Sequence, residues 1–443
     1  MRAVEENSKK PHRLIGYWMS DKKTKKMNWS DFGDVCRNYG FHLVKLDLSK
    51  PLEEQGPFTV ILHKMTNLFV GTDEESMAMV QRVEEYIRDH PKVIVIDPLD
   101  NVRKTLNRPD SYSAIPTRDL EKFDVFIPTF VELTSTNSAE NLKKLKAANV
   151  TFPFVCKPSA HLQNGTVEFH RMALIFNEQN LADCQPPCVA QSFINHNAIL
   201  FKIYIVGDEY QLVERPSLKN FQPSASEASI FFHTDDVSKP NSTSSLSVLD
   251  GGAAPPEVPA IDRTKTDALV AIARQELGLS LFGIDFVVTN DTGKYGIIDV
   301  NVFPGYEGFP DFFECLIKYI SKLVTDQESN EKVSDGLAWS SSSFRRYSYK
   351  SCENSDHSET VSPMDSDNKF IHPNPSHVIG RNQDDSGFDT SDSSDEKKYK
   401  YRSTSNANPR SSSVSKTVLP LSSMTSPDSL KNRDSKKSRE KKL

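Results

Sequence analysis

Gly283-Ile-Asp-Phe-Val-Val-Thr-Asn-Asp-Thr-Gly-Lys-Tyr-Gly-Ile-Ile-Asp-Val-Asn301 reads as two apolar strands joined by Asp291-Thr292-Gly293. A three-residue connection with glycine in the left-handed position is a common hairpin loop. It sets residue 290 opposite 294. Counting outward, Asp285 falls opposite Asp299, and period-two alternation keeps Asn301 on the face of Asp299. Like charges directly opposite one another destabilise a strand pair. A bound cation removes the conflict. Two carboxylates and one neutral oxygen suit a hard ion such as Mg²⁺, which keeps some of its waters and shares phosphate oxygens. The competing reading is a pair of surface acids on an exposed hairpin, because a four-residue loop would put the two acids on opposite faces.

Working outward, Ile199 to Val206 alternates strictly, turns at Gly207-Asp208-Glu209 and returns through Tyr210 to Glu214, a second antiparallel hairpin. Lys202 shares a face with Leu200, Tyr204 and Val206. A charge on an apolar face is unfavourable unless paired; it either snorkels to an edge or meets an anion such as phosphate. Phe152-Pro-Phe-Val-Cys-Lys157 is a strand ending in a lysine, and Cys188 to Ile194 is an apolar strand running into a hinge, Gln191-Ser-Phe-Ile-Asn-His196. Arg215-Pro-Ser-Leu-Lys219 adds two cations near Lys202. Neither Lys157 nor Lys202 lies in a Gly-x-x-x-x-Gly-Lys loop, and no His-Arg-Asp loop of the protein-kinase kind is present. Helices are expected over Ala139–Ala148, near Lys265–Leu277 and over Phe312–Val324.

The first hundred residues alternate between the two periodicities. Strands are expected at Leu14–Met19, Phe41–Leu48, Thr59–His63 and Val93–Ile96, with a helix from about Asn28 to Gly40 and another carrying Met77, Val80, Val83 and Ile87. Thr72-Asp-Glu-Glu75 has the spacing of a capping box ahead of that second helix. The order β-α-β-β-α-β describes a small α/β domain with a mostly parallel sheet.

The chain has 443 residues, 54 Lys and Arg against 60 Asp and Glu, and a net charge of −6. That balance argues against nucleic-acid binding through an overall positive field. Six scattered cysteines form no disulfide framework; Cys184 and Cys188 flank a Pro-Pro with no second pair to complete a zinc site. Reduced thiols suit a cytoplasmic or nuclear protein. The N-terminus is charged without an apolar core of its own, and no run of eighteen apolar residues offers a membrane span. After Val324 the chain turns to Ser, Asp, Lys and Asn, too polar to fold, and finishes basic at Lys436–Lys442. That finish is either a solvated charge run or a nuclear-import or anionic-surface segment.

At these residues the chain resembles the inositol 1,3,4-trisphosphate 5/6-kinase family of ATP-grasp enzymes. The resemblance runs from about Arg13 to Val324. It is carried by Ile15-Gly-Tyr-Trp with Lys22-Lys23, Ile61-Leu-His-Lys64, Thr151 to Lys157, Gln191 to Asn197, Arg215 to Phe221, Phe282-Gly-Ile-Asp285 and Ile298 to Gly308. It implies an α/β (α+β) ATP-grasp fold: an inositol-phosphate-binding domain over 13–112, a central lobe over 113–195 and a C-terminal lobe with the metal site over 196–326; outside the resemblance, composition gives a disordered Ser-rich tail over 327–443. The two lobes would carry antiparallel sheets. It further implies that ATP meets Arg108, Lys157, the hinge residues Gln191, Ser192, Phe193, Ile194, Asn195 and His196, then Lys202, Ser217, Thr234 and Ser238. Magnesium would be held by Asp285, Asp299 and Asn301. Inositol tris- and tetrakisphosphates would meet Lys23, Lys64, His170, Lys202, Asn301 and Gly305, with Lys202 and His170 nearest the chemistry. Thr234 stands where the family tends to have serine and keeps the hydroxyl. The segment from Lys157 to His170 is three residues longer than the family pattern and separates His161 from Gly165.

The implied activity is transfer of phosphate from ATP to position 1 of inositol 3,4,5,6-tetrakisphosphate, or to position 5 or 6 of inositol 1,3,4-trisphosphate, with phosphate shuffling between inositol phosphates as a second, isomerase-like activity. A cytoplasmic monomer is expected, the nucleus being left open; the tail names no partner. Two alternatives remain at this level. A carboxylate–amine ligase of the same fold has no need of the N-terminal lysines. A non-catalytic inositol-phosphate-binding scaffold has no need of an intact acidic pair.

Overall fold

The computed structural model describes residues 13–159, 170–250 and 259–337. His161, Gly165 and the polar tail past residue 337 lie outside the described residues. Fourteen strands appear among those described: β1 (Arg13–Trp18), β2 (Phe41–Lys45), β3 (Val60–His63), β4 (Ile94–Ile96), β5 (Val125–Phe126), β6 (Phe130–Leu133), β7 (Phe154–Pro158), β8 (Arg171–Ile175), β9 (Cys188–Ser192), β10 (Ile199–Val206), β11 (Glu209–Pro216), β12 (Ile230–His233), β13 (Leu281–Val288) and β14 (Tyr295–Val302). They form three sheets, in the orders β2-β1-β3-β4, β11-β10-β13-β14-β5 and β12-β8-β7-β9-β6.

The first sheet is parallel at every pairing, as helical crossovers between its strands require. Helix Trp29–Asn38 buries Trp29, Phe32 and Cys36, and helix Glu74–Asp89 buries Val80, Val83 and Tyr86. The cap of the second helix is Asp73, whose carboxylate accepts from Ser76 N at 2.7 Å. The expected Thr72–Glu75 box therefore sits one residue out of register, and a carboxylate at the cap adds a favourable charge at the helix N-terminus.

This domain is not a separate bead. Ile15, Trp29 and Phe32 share one apolar core with Phe303, Tyr306, Phe312 and Ile317 from the end of the folded body. Asp97, just after β4, reinforces the joint: its two carboxylate oxygens accept from Ser280 N and Leu281 N, both at 2.8 Å. The last helix runs Phe312–Leu337, well past the expected end at Val324. Beyond that point Glu328 takes both oxygens to Arg13 of β1, and Gln327 donates to the Lys92 carbonyl. Those contacts keep polar turns on the body that composition alone assigns to the tail.

The second sheet is antiparallel except for β14 against β5, and the third is antiparallel throughout. β10 and β11 are joined by Gly207-Asp208, with Gly207 at φ 59°, a tighter turn than the three residues expected. The strand expected at Cys188–Ile194 stops at Ser192. Strands β5, β6, β8 and β12, and three short helices between Leu99 and Glu121, add to the expected elements. No helix among the described residues is long and apolar enough to cross a membrane.

Candidate functional site

The deciding hairpin pairs as expected at its functional end and differently at its tip. Asp285 is opposite Asp299, Ile284 opposite Val300 and Gly283 opposite Asn301. At the tip, Val288 pairs with Tyr295 and Thr289 N donates to Lys294 O, so the loop has four residues, not three. A four-residue loop alone would have turned the acids apart. The ladder shifts by one residue between Phe286–Ile297 and Asp285–Asp299, leaving Ile298 as an extra, bulged residue that restores the pairing.

The bulge has a second effect. The Ile298 carbonyl accepts from Lys157 Nζ at 2.5 Å and from Tyr112 Oη at 2.9 Å. Lys157 comes from β7 of the facing sheet, where Gln191 on neighbouring β9 offers its Oε1 at 2.7 Å. Arg108 and Tyr112 come from helix Arg108–Ala114. Four residues apart, they share a helix face: Arg108 meets Asp299 Oδ1 at 2.5 Å, and the Tyr112 hydroxyl lies 3.3 Å from the same oxygen.

On the other side of the row, Lys202 of β10 is directly opposite Asp285 of β13, and its Nζ donates to Asp285 Oδ2 at 2.7 Å. Three adjacent strands thus place Lys202, Asp285 and Asp299 side by side. Burial opposes every one of these charges, and the neighbours decide the outcome. Burial pushes Asp285 up, helped by Asp299, against the pull of Lys202. Burial would raise Asp299 as well, but Arg108 and Lys157 outweigh it and hold its carboxyl below the usual range. Burial lowers Lys157 to about 8, offset in part by Asp299; at Lys202 burial also pulls down, but Asp285, together with Tyr204 and Asp299, holds it above its usual value.

These groups line one cleft of about 400 Å³ between the second and third sheets. It holds Arg108, Lys157, His170, Gln191, Ser192, Phe193, Ile194, His196, Lys202, Ser217, Thr234, Ser238, Asp285 and Asp299, fourteen positions already named from the sequence. His170 Nδ1 lies 3.1 Å from Thr234 Oγ1. His196 bridges the Ile194 carbonyl and Ser217 Oγ at 2.5 and 2.7 Å, and burial lowers it to about 4, so the imidazole is neutral at pH 7 and acts as a strut for the hinge.

Five named residues do not line this cleft. The side chain of Asn195 turns away and its Oδ1 accepts from Phe221 N at 2.8 Å. Lys23 and Lys64 are buried in the N-terminal domain. Gly305 lines a shallower neighbouring depression with Lys26, Tyr306 and Glu307. Asn301 is buried, and its Oδ1 has no hydrogen-bond partner among the described residues. That orphaned oxygen, two residues from Asp299 on the same strand, completes with Asp299 and Asp285 a donor set of the composition a hard divalent ion takes. Among the described residues no three His, Cys, Asp or Glu side chains gather as a metal cluster, so any ion here relies on the amide and on ligand oxygens. Sequence reasoning missed Tyr112 and the Ile298 carbonyl. The four-residue spacing of Tyr112 from Arg108 was the available signal; nothing local announces the bulge.

Comparison with known proteins bears on the family. Residues 14–102 match the model of the inositol 1,3,4-trisphosphate 5/6-kinase pre-ATP-grasp domain, and residues 120–322 match that of the inositol 1,3,4-trisphosphate 5/6-kinase ATP-grasp domain. The inositol-tetrakisphosphate 1-kinase of Xenopus laevis is 45% identical over 327 residues, covering 72% of this chain and 81% of that protein. The inositol-tetrakisphosphate 1-kinase of Danio rerio is 43% identical over 328 residues with the same coverage. Among solved structures, D-cycloserine synthetase DcsG superposes with a TM-score of 0.46 at 13% identity, over 70% of this chain and 99% of that one, too distant to bear on chemistry. With both halves of its folded body matched and the paired acids and flanking cations in one cleft, the chain belongs to the inositol 1,3,4-trisphosphate 5/6-kinase family of ATP-grasp enzymes.

Proposed function

We propose that this protein transfers the γ-phosphoryl group of ATP to a ring hydroxyl of soluble inositol polyphosphates, at position 1 of inositol 3,4,5,6-tetrakisphosphate and at position 5 or 6 of inositol 1,3,4-trisphosphate. The observation that carries the reading is the row Lys202–Asp285–Asp299, flanked by Arg108 and Lys157, at the floor of a cleft with a hinge along one wall. Phosphoryl transfer asks a protein mainly to position its reactants and to neutralise charge, and this row provides both. Asp285, Asp299 and Asn301 would hold magnesium, which when bound neutralises charge on the phosphate oxygens. Lys157 and Arg108 meet the phosphates of the nucleotide. Backbone groups of 191–196 border the base, held by the His196–Ser217 contact. Lys202 stands between nucleotide and acceptor, and His170 faces the same space. The anionic phosphates of the nucleotide favour the charged form of Lys157, which burial alone weakens.

The same site run through bound adenine nucleotide also moves phosphate from one inositol phosphate to another; this isomerase-like flux is the secondary reading. Cysteines that are free among the described residues suit a reducing, cytoplasmic or nuclear compartment. The test is anion-exchange separation of products after incubation with ATP, Mg²⁺ and each acceptor. A more highly phosphorylated product that disappears in Asp299→Asn, while acceptor binding persists, supports the reading. A folded, ATP-binding protein that phosphorylates neither acceptor rejects it, and the scaffold alternative then leads.

A further inference from the structure

The lysines that the family pattern assigns to the acceptor, Lys23 and Lys64, are buried away from the cleft lining, whereas Lys26 lies on it. Lys26 is the last residue of helix Asp21–Lys26 in the N-terminal domain. Its Nζ meets the carboxylate of Glu307 at 3.1 Å, so the pair spans the mouth of the cleft from one domain to the other. Glu307 has a second cation beside it: Arg215 NH2 donates to the Glu307 carbonyl at 2.8 Å. All three residues line the same cleft as Asp285, Asp299 and His170.

The backbone that carries Glu307 is firmly held. Phe303 N donates to the Leu281 carbonyl at 2.8 Å, and the buried Tyr306 hydroxyl donates to the Ile205 carbonyl at 3.0 Å. Phe303, Tyr306 and Gly308 all have positive φ, of 44°, 55° and 88°, a conformation that only a well-determined loop maintains. The Glu307 side chain, in contrast, is 42% exposed, and the Lys26 side chain is 22% exposed. An ion pair this wet contributes little to stability, so it parts readily. A phosphate brings more charge than a carboxylate and three acceptor oxygens, and charge-assisted hydrogen bonds to it are stronger than neutral ones.

We propose that Lys26, with Arg215 beside it, forms a subsite for a phosphate group of the acceptor at the mouth of the cleft, and that the Glu307 carboxylate occupies it until the acceptor displaces it. The inference rests on the kinase reading above for the identity of the ligand. It makes Glu307 an internal competitor, so the two members of one ion pair carry opposite signs. Lys26→Gln raises the KM for inositol 3,4,5,6-tetrakisphosphate about tenfold, the loss of one charge-assisted contact. Glu307→Gln lowers it about threefold, the loss of one weak competing pair. The KM for ATP stays unchanged in both, and Lys26→Arg restores much of the acceptor affinity.

The experiment uses the full chain with steady-state kinetics for both substrates, calorimetric binding of the tetrakisphosphate, and thermal unfolding to show that each variant is folded. A rise in acceptor KM in both variants makes the pair structural and overturns the subsite. So does an unchanged acceptor KM in Lys26→Gln, or an equal rise in the KM for ATP. If the wild type transfers phosphate but the variants do not separate, only the subsite falls. If the wild type binds the tetrakisphosphate without phosphorylating it, and Lys26→Gln weakens that binding, the kinase reading falls and the subsite stands. If it neither binds nor phosphorylates, both fall.

Discussion

Tyr112 is nearly fully buried, yet its hydroxyl reaches the Ile298 carbonyl, Asp299 and Lys157 together. Its ring meets Phe130 edge-on at 5.1 Å, so Tyr112→Phe removes the hydroxyl and leaves the packing. We expect a stability loss of about 1 kcal/mol, the usual net worth of such a bond, visible in urea unfolding. A fall in kcat larger than any rise in the KM for ATP should accompany it, because Asp299 and Lys157 both lose a positioning contact. His196 gives a pH-dependent prediction. Burial lowers it to about 4, the Ile194 carbonyl pulling the other way, while the unfolded value is about 6.5. Between those values the unfolded chain binds a proton that the folded chain refuses, so stability falls as pH drops from about 6.5 to 4, by up to roughly 3 kcal/mol. His196→Gln should make the stability–pH slope in that window shallower by about one proton. A residual slope remains, since His63 is also lowered to about 4 and buried Asp97 is raised to about 6 with the opposite sign. At this scale the residues themselves point to Lys157 and Lys202, charges that stand out on apolar strands, whereas Arg108, His170, Ser217, Thr234 and Ser238 follow only from the family resemblance. Tyr112 did not stand out, since a tyrosine in a short helix looks like ordinary core.

The metal hairpin shows what a sequence can and cannot yield at the scale of an element. Facing acids were read correctly from a loop length that was wrong by one residue, because the bulge at Ile298 compensates for the four-residue tip. Pattern reasoning counts residues along two regular strands, and a bulge is invisible to it when both residues of the bulge are apolar, as Ile297 and Ile298 are. Deleting Ile298 tests what else the bulge does. With the ladder regular, Asp299 still falls opposite Asp285, but the extra carbonyl that accepts from Lys157 and Tyr112 is gone. The expected protein retains its far-ultraviolet circular dichroism and a cooperative, less stable unfolding transition, but transfers phosphate more slowly because Lys157 and Tyr112 lose their shared anchor. Strands β8 and β12 escaped notice for a different reason. Among the described residues β12 pairs only with β8, and its short run Ile230–His233 gains strand character from that long-range partner rather than from its own composition.

At the scale of the whole molecule, three sheets and a terminal helix were foreseeable, but the merging of the N-terminal domain with the C-terminal core was not. That union depends on Trp29, Phe32, Phe303 and Phe313, which meet as rings 5.0 to 6.4 Å apart from distant parts of the chain. Each looks locally like a residue of its own domain's core. Magnesium alone should raise the unfolding temperature little, and magnesium with ATP far more than the sum of their separate effects, as differential scanning fluorimetry would show. An additive result would contradict the metal assignment. The expectation follows from the two ion pairs across the cleft floor, Arg108 with Asp299 and Lys202 with Asp285. With no nucleotide present, the valences of both carboxylates are already engaged by cations, and a lone divalent ion would have to enter against that positive charge. On this reading a polyphosphate would draw the arginine and lysines toward itself and release the acids. Metal and nucleotide would then arrive as mutually dependent guests, in an order dictated by which side chains must first change partners.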